Sequence, residues 1–125
     1  MIYHKFKKYE RLSHKKYITA LFTKGKRLRL TLVKFCYLPS SKNNDEVIFI
    51  VPKKLVKKAV ERNRIKRRMR EAYRLHKYRL GEGGKHFLIG YIYIGHRYKE
   101  PSYTHMSKDI KKSIAYLQKT QKEHV

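Results

Sequence analysis

Two short apolar runs limit the architectures open to this chain. The first is Val47-Ile48-Phe49-Ile50-Val51, closed by Pro52, and the second extends from Phe87 to Ile94. Runs this short, rich in β-branched and aromatic residues, suit buried strands. The first reads as a central strand covered on both faces. Between the runs, the spacing predicts a long helix over 59–79. Ile65, Met69, Ala72 and His76 recur at helical intervals, with Tyr73 at the edge of the stripe. His76 on that stripe reads as a hydrogen-bonded core histidine. Gly81, Gly83 and Gly84 then end the helix in a flexible loop.

The flanks add further elements. Residues 13–24 predict a short helix, with Ser13 as N-cap, Ile18, Leu21 and Phe22 on one face, and Gly25 as a left-handed C′ residue. Residues 28–38 read as extended. Val33, Phe35 and Tyr37 share one strand face there, and Lys34 and Cys36 share the other. Pro39 through Asp45 reads as a turn. Over 86–95, Phe87, Ile89, Tyr91 and Tyr93 fall on one face, as core or sheet surface. A final helix opens at Pro101-Ser102 and repeats Tyr103, Met106, Ile110, Ile114 and Leu117. The order helix, strands, helix, strand, helix predicts one α+β or α/β domain with helices packed on a small sheet. A length of 125 residues suits a single domain, with loose ends and no repeat or linker.

Charge narrows the function. The chain has 33 Lys and Arg against 9 Asp and Glu, a net +24. Self-repulsion of this size destabilises a compact chain unless a polyanion neutralises it. Nucleic acid is the commonest such partner, because phosphate contacts release condensed counterions. No apolar run is long enough to span a bilayer, and Met1 to Leu12 lacks the apolar core of a signal peptide. The 11 Tyr and 5 Phe argue against disorder. Cys36 has no partner for an intrachain disulfide, which fits a reducing, cytoplasmic setting, and it reads as inert.

The densest basic segment runs from Lys53 to Arg74 and contains Arg62-Asn63-Arg64-Ile65-Lys66-Arg67-Arg68-Met69-Arg70-Glu71. Guanidinium groups bond phosphates with two prongs and stack on bases. Asn63 adds a neutral donor and acceptor. Asn63, Arg67, Arg70 and Arg74 form a stripe apart from the apolar one. A solvated charged helix is the ordinary explanation of such a run, but only Glu61 and Glu71 are placed to pair with its cations. A ribosomal-type RNA-binding protein would share this charge and size. A DNA-binding reading finds no helix-turn-helix spacing or zinc motif.

Arg62-Asn63-Arg64-Ile65-Lys66-Arg67, followed by Arg70-Glu71-Ala72-Tyr73, resembles the signature helix of the bacterial ribonuclease P protein component. The preceding apolar strand Val47–Val51 and the Lys53-Lys54 stretch fall where that family places them, as does Arg11-Leu12 before a short helix. The resemblance covers about residues 11–117. It implies an α-β-β-β-α-β-α order, a four-stranded sheet and a left-handed βαβ crossover. It also implies that Arg62, Asn63, Arg64, Lys66, Arg67 and Arg70, with Lys53 and Lys54, face a catalytic RNA. A cleft beside the first helix would take the 5′ leader of precursor tRNA, lined by Ile18 and Phe22. Base stacking would let Phe35 and Tyr37 add to that surface, although both read first as core residues. Many members carry a Phe-x-x-x-Phe pair where this chain has Ile18 and Phe22. Many also carry Gly-Asn where it has Lys57-Lys58. The RNA, with Mg²⁺, would perform the phosphodiester hydrolysis, and the protein would be a monomer.

No catalytic or metal-ligating residue is expected in the protein itself. Its acidic residues are scattered without an Asp-x-Asp cluster, and nothing in the sequence converges His86, His96 and His105 for acid–base work. The seven histidines form no metal motif.

Overall fold

The structure, a computed structural model, describes residues 6–80, 85–95 and 101–123. Gly81, Gly83, Gly84, His96 and the outermost ends of the chain lie outside the described residues. The elements are α1 (Lys15–Lys24), β1 (Lys26–Arg29), β2 (Val33–Ser40), β3 (Glu46–Ile50), α2 (Ala59–His76), β4 (His86–Tyr93) and α3 (Tyr103–Glu123). A 3₁₀ turn, Lys8–Glu10, precedes α1, and another, Lys77–Arg79, continues α2.

The four strands form one sheet in the order β1-β2-β4-β3. β1 pairs antiparallel with β2, β2 antiparallel with β4, and β3 parallel with β4. The extended stretch therefore contains a hairpin, its turn closed by Leu30 N–H donating to Val33 O at 2.9 Å. β2 runs on through Pro39, opposite Phe87. The proline is tolerated because β1 ends its pairing at Tyr37, so no neighbour on that side needs an N–H there.

Side-chain alternation builds two layers of core. Val33, Phe35, Tyr37, Val47, Phe87, Ile89, Tyr91 and Tyr93 face α2 and α3, meeting Ile65, Met69, Ala72, Tyr73, Met106, Ile110, Ile114 and Leu117. Cys36 and Leu88 face the other way and pack with Leu21, Tyr17, Ile18, Phe22 and Ile48. The result is a sheet with α1 on one face and α2 and α3 on the other. His76 is half-buried at the rim of its stripe, 3.0 Å from Ser107 Oγ, and Tyr73 takes the interior place instead.

Three local expectations change. β3 is an edge strand, not a central one. Its apolar run answers to cover on both faces, Val47 toward α2 and Ile48 toward α1, rather than to strand neighbours on both sides. Its outer edge is partly closed by Arg11, which bridges to Val47, with Leu12 N–H donating to Val47 O at 2.9 Å. The N-cap of α1 is His14, whose side chain accepts from Lys16 N–H at 3.2 Å, rather than Ser13. Gly25 has φ −69°, an ordinary backbone conformation. Glycine is needed there for space, since a Cβ would lie 2.3 Å from Leu21 O and 2.9 Å from Tyr37 O.

Candidate nucleic-acid interface

α2 starts after a turn in which Leu55 and Val56 N–H both donate to Pro52 O at 3.1 Å, leaving Lys53 and Lys54 exposed. Its buried stripe of Ile65, Met69, Ala72 and Tyr73 fixes the rotation of the helix against the sheet. That rotation decides where each cation points. Asn63, Arg64 and Arg67 are exposed, and Lys66 and Arg70 are half-buried along the side nearest β3.

The cations do not share one environment. Arg62 Nη1 donates to the backbone carbonyls of Val56 and Lys57, at 3.0 and 2.7 Å, so it also fastens the turn that leads into the helix. Arg74 is paired with Glu71, whose carboxyl it holds below the usual range. Lys66 and Arg70 meet Arg11 in a cleft of about 240 Å³ at the outer edge of β3, over a floor that includes Phe6, Ile48 and Phe49. Burial, together with the nearby Arg11 and Arg67 charges, lowers the Arg70 guanidinium from its usual value. Its Nε is buried without a hydrogen-bond partner. No carboxylate lines this cleft among the described residues. Clustered like charges with an unmet donor favour an anion with acceptor oxygens.

Arg11 is the cation of this cleft that the sequence did not mark as a site residue. It reaches Arg70 through the strand-like bridge to Val47, a long-range pairing with no local signature.

The two halves of the expected leader cleft separate. Ile18 and Phe22 sit half-buried on α1 against the sheet. Gly90 admits Phe22 and its neighbour Leu21, since a Cβ there would lie 3.1 Å from Leu21 Cδ2 and 3.3 Å from the Phe22 ring. Phe35 and Tyr37 lie on the opposite sheet face, stacked on each other at 5.5 Å, with Phe35 also stacked on Tyr91. Phe35 is fully buried and Tyr37 is 4 % exposed. The placement of these two residues in a cleft with α1 is therefore corrected. Strand alternation sends them to the α2/α3 side, and Cys36 takes the α1 side. Burial pushes the Cys36 thiol up from its usual pKa, away from reactivity.

Among the described residues no three His, Cys, Asp or Glu side chains gather as a metal-ligand group, and no helix is long and apolar enough to cross a membrane.

The family described as Ribonuclease P matches residues 6–118. Among curated relatives, the chain is 38% identical to the ribonuclease P protein component of Chlorobium phaeobacteroides, over 83% of this chain and 82% of that one. It is 32% identical to the ribonuclease P protein component of Chlorobaculum tepidum, over 80% and 74%. Among solved structures, its fold is similar to that of the Staphylococcus aureus RNase P protein, with TM-score 0.73 at 19% identity over 87% of this chain and 95% of that one. The Thermotoga maritima RNase P protein superposes with TM-score 0.71 at 21% identity over 84% and 94%.

Proposed function

We propose that this chain, which belongs to the ribonuclease P protein family, works as the protein subunit that binds a catalytic RNA and helps it remove the 5′ leader of precursor tRNA. The observation that carries this reading is the cation set of α2. Arg64 and Arg67 stand exposed, while Lys66 and Arg70 converge with Arg11 on a cleft that no described carboxylate lines. In this reading the exposed cations, with Lys53, Lys54 and Asn63, hold phosphates and sugars of the RNA subunit. Arg62 divides its guanidinium between the turn and the RNA. Ile18 and Phe22 are the apolar contacts left for the leader.

The protein contributes charge neutralisation and positioning. It brings no side-chain nucleophile or acid–base pair to the scissile phosphate. Mg²⁺ belongs with the partner RNA, where it would supply the activated water and neutralise the reacting phosphate.

Reconstitution tests the reading. Catalytic RNA with the protein should cleave precursor tRNA at Mg²⁺ concentrations too low for the RNA alone, and should prefer precursor over mature tRNA in binding. Cleavage no better than with RNA alone would refute the subunit role. Equal binding of precursor and mature tRNA would favour a purely structural RNA-binding protein, such as a ribosomal one, over this subunit.

A further inference from the structure

The molecule carries a second cationic concavity, lined by none of the residues of the first. β3 runs from Glu46 toward Lys53, Lys54 and the start of α2, and β4, parallel to it, begins again at the opposite end of the sheet. At that opposite end, Lys24 closes α1, Lys26 opens β1, Lys42 follows β2 and Lys85 precedes β4. All four line one cavity of about 690 Å³. Four separate segments thus deliver a lysine to the same space, and no Asp or Glu lines it among the described residues. Lys42 is matched by Glu46 at 2.7 Å and lies 4.3 Å over the Tyr17 ring. Lys24, Lys26 and Lys85 are exposed. The wall between them includes Leu38, Pro39 and the edges of Tyr37 and Phe87.

An apolar wall ringed by ammonium groups suits a nucleotide, with its base on the wall and its phosphates toward the lysines. The two concavities have no lining residue in common. We propose that this cavity is a second RNA-binding site, taking a single-stranded phosphodiester segment independently of the α2 surface. It rests on the reading above that the partner is RNA.

The test uses the full chain and a twelve-residue oligouridylate, with binding measured across a salt series. Three proteins are compared: the unaltered chain, K24A/K26A/K85A, and R64A/R67A. The lysine variant should bind at least severalfold more weakly. Its log K against log salt should flatten by about 0.7 for each lysine that had held a phosphate. Its loss should add to that of the α2 variant, as expected for sites that share no residue. A fourth protein, the control K24R/K26R/K85R, should retain binding. Unfolding midpoints matching the unaltered chain would show that the lysine changes act on binding alone. Normal binding by the lysine variant, with loss only in R64A/R67A, overturns the second site and leaves the subunit reading standing. Equal binding by all three overturns both.

Discussion

The Lys77 ammonium lies 2.6 and 2.8 Å from the two carboxylate oxygens of Glu10, and both side chains are largely buried. Glu10 also accepts from Lys7 N–H at 2.6 Å. The pair fastens the segment before α1 to the end of α2, with Phe6 seated edge-on against Phe49 and Tyr73 beside it. That segment delivers Arg11 to the cleft it shares with Lys66 and Arg70. The fold's ion pair and the candidate cleft are thus mechanically joined.

Glu10→Ala should therefore act twice. Losing a charge-assisted pair shielded from water should lower stability by about 1.5–3 kcal/mol. Release of Arg11 should weaken RNA binding with no change at any RNA-facing residue. Urea unfolding and RNA titration on the same preparation check both. Unaltered RNA affinity in a destabilised protein would separate the ion pair from the cleft.

Asp109, on α3, accepts from Leu32 N–H at 2.6 Å and Val33 N–H at 3.2 Å, both on the same carboxylate oxygen, and it is 3 % exposed. It satisfies two backbone donors where the β1–β2 turn enters β2. Asp109→Ala should cost about 2–4 kcal/mol, because two buried N–H groups lose their acceptor together. Asp109→Asn retains one suitable oxygen and should recover part of the loss. Denaturant midpoints for the two variants decide it, and equal stability of both with the original chain would refute the capping role.

This dependence on distant partners explains what the sequence made legible. The helix faces were readable, because Ile65, Met69 and Ala72, or Met106, Ile110 and Ile114, repeat locally at helical spacing. The β4 face was readable from alternation alone. The rank of β3 in the sheet was not, since an apolar run reports cover above and below but not who lies alongside. The hairpin within 28–38 was hidden because Lys26–Arg29 carries almost no apolar signal. In the candidate site, Lys66, Arg67 and Arg70 followed from helical geometry, whereas Arg11 needed the bridge to Val47. Phe35 and Tyr37 offer themselves to the cleft as stacking aromatics, but their alternation with Cys36 also reads as core, and the core is where they lie.

Arg62 and Arg67 should respond differently to removal. Arg62 holds Val56 and Lys57 carbonyls as well as presenting charge, whereas Arg67 is exposed on the helix surface. Arg62→Ala should lower both stability and RNA affinity. Arg67→Ala should leave the unfolding free energy within about 0.5 kcal/mol of the original and reduce the salt slope by about 0.7–0.9. Arg62→Lys should restore charge but not the two-carbonyl grip. A destabilisation by Arg67→Ala as large as that by Arg62→Ala would contradict the division of labour.

His76 supplies a pH dependence whose sign follows from its surroundings. Burial, and then the Arg79 and Lys111 charges, lower its pKa from the ordinary 6.5, and its ring meets Ser107 Oγ at 3.0 Å. The unfolded chain therefore binds a proton more readily than the folded one between the lowered value and 6.5. The contribution of the neutral ring is fully present above pH 6.5. It is lost progressively as pH falls through that window, and is level below it. Asp45 acts in the opposite sense at lower pH, since burial raises its carboxyl above 3.8 and favours the protonated folded form there. Replacing His76 with Gln isolates the histidine. Unfolding free energies measured from pH 7.5 downward should fall more steeply for the original chain than for His76→Gln just below pH 6.5, and parallel curves would rule the histidine out as the source.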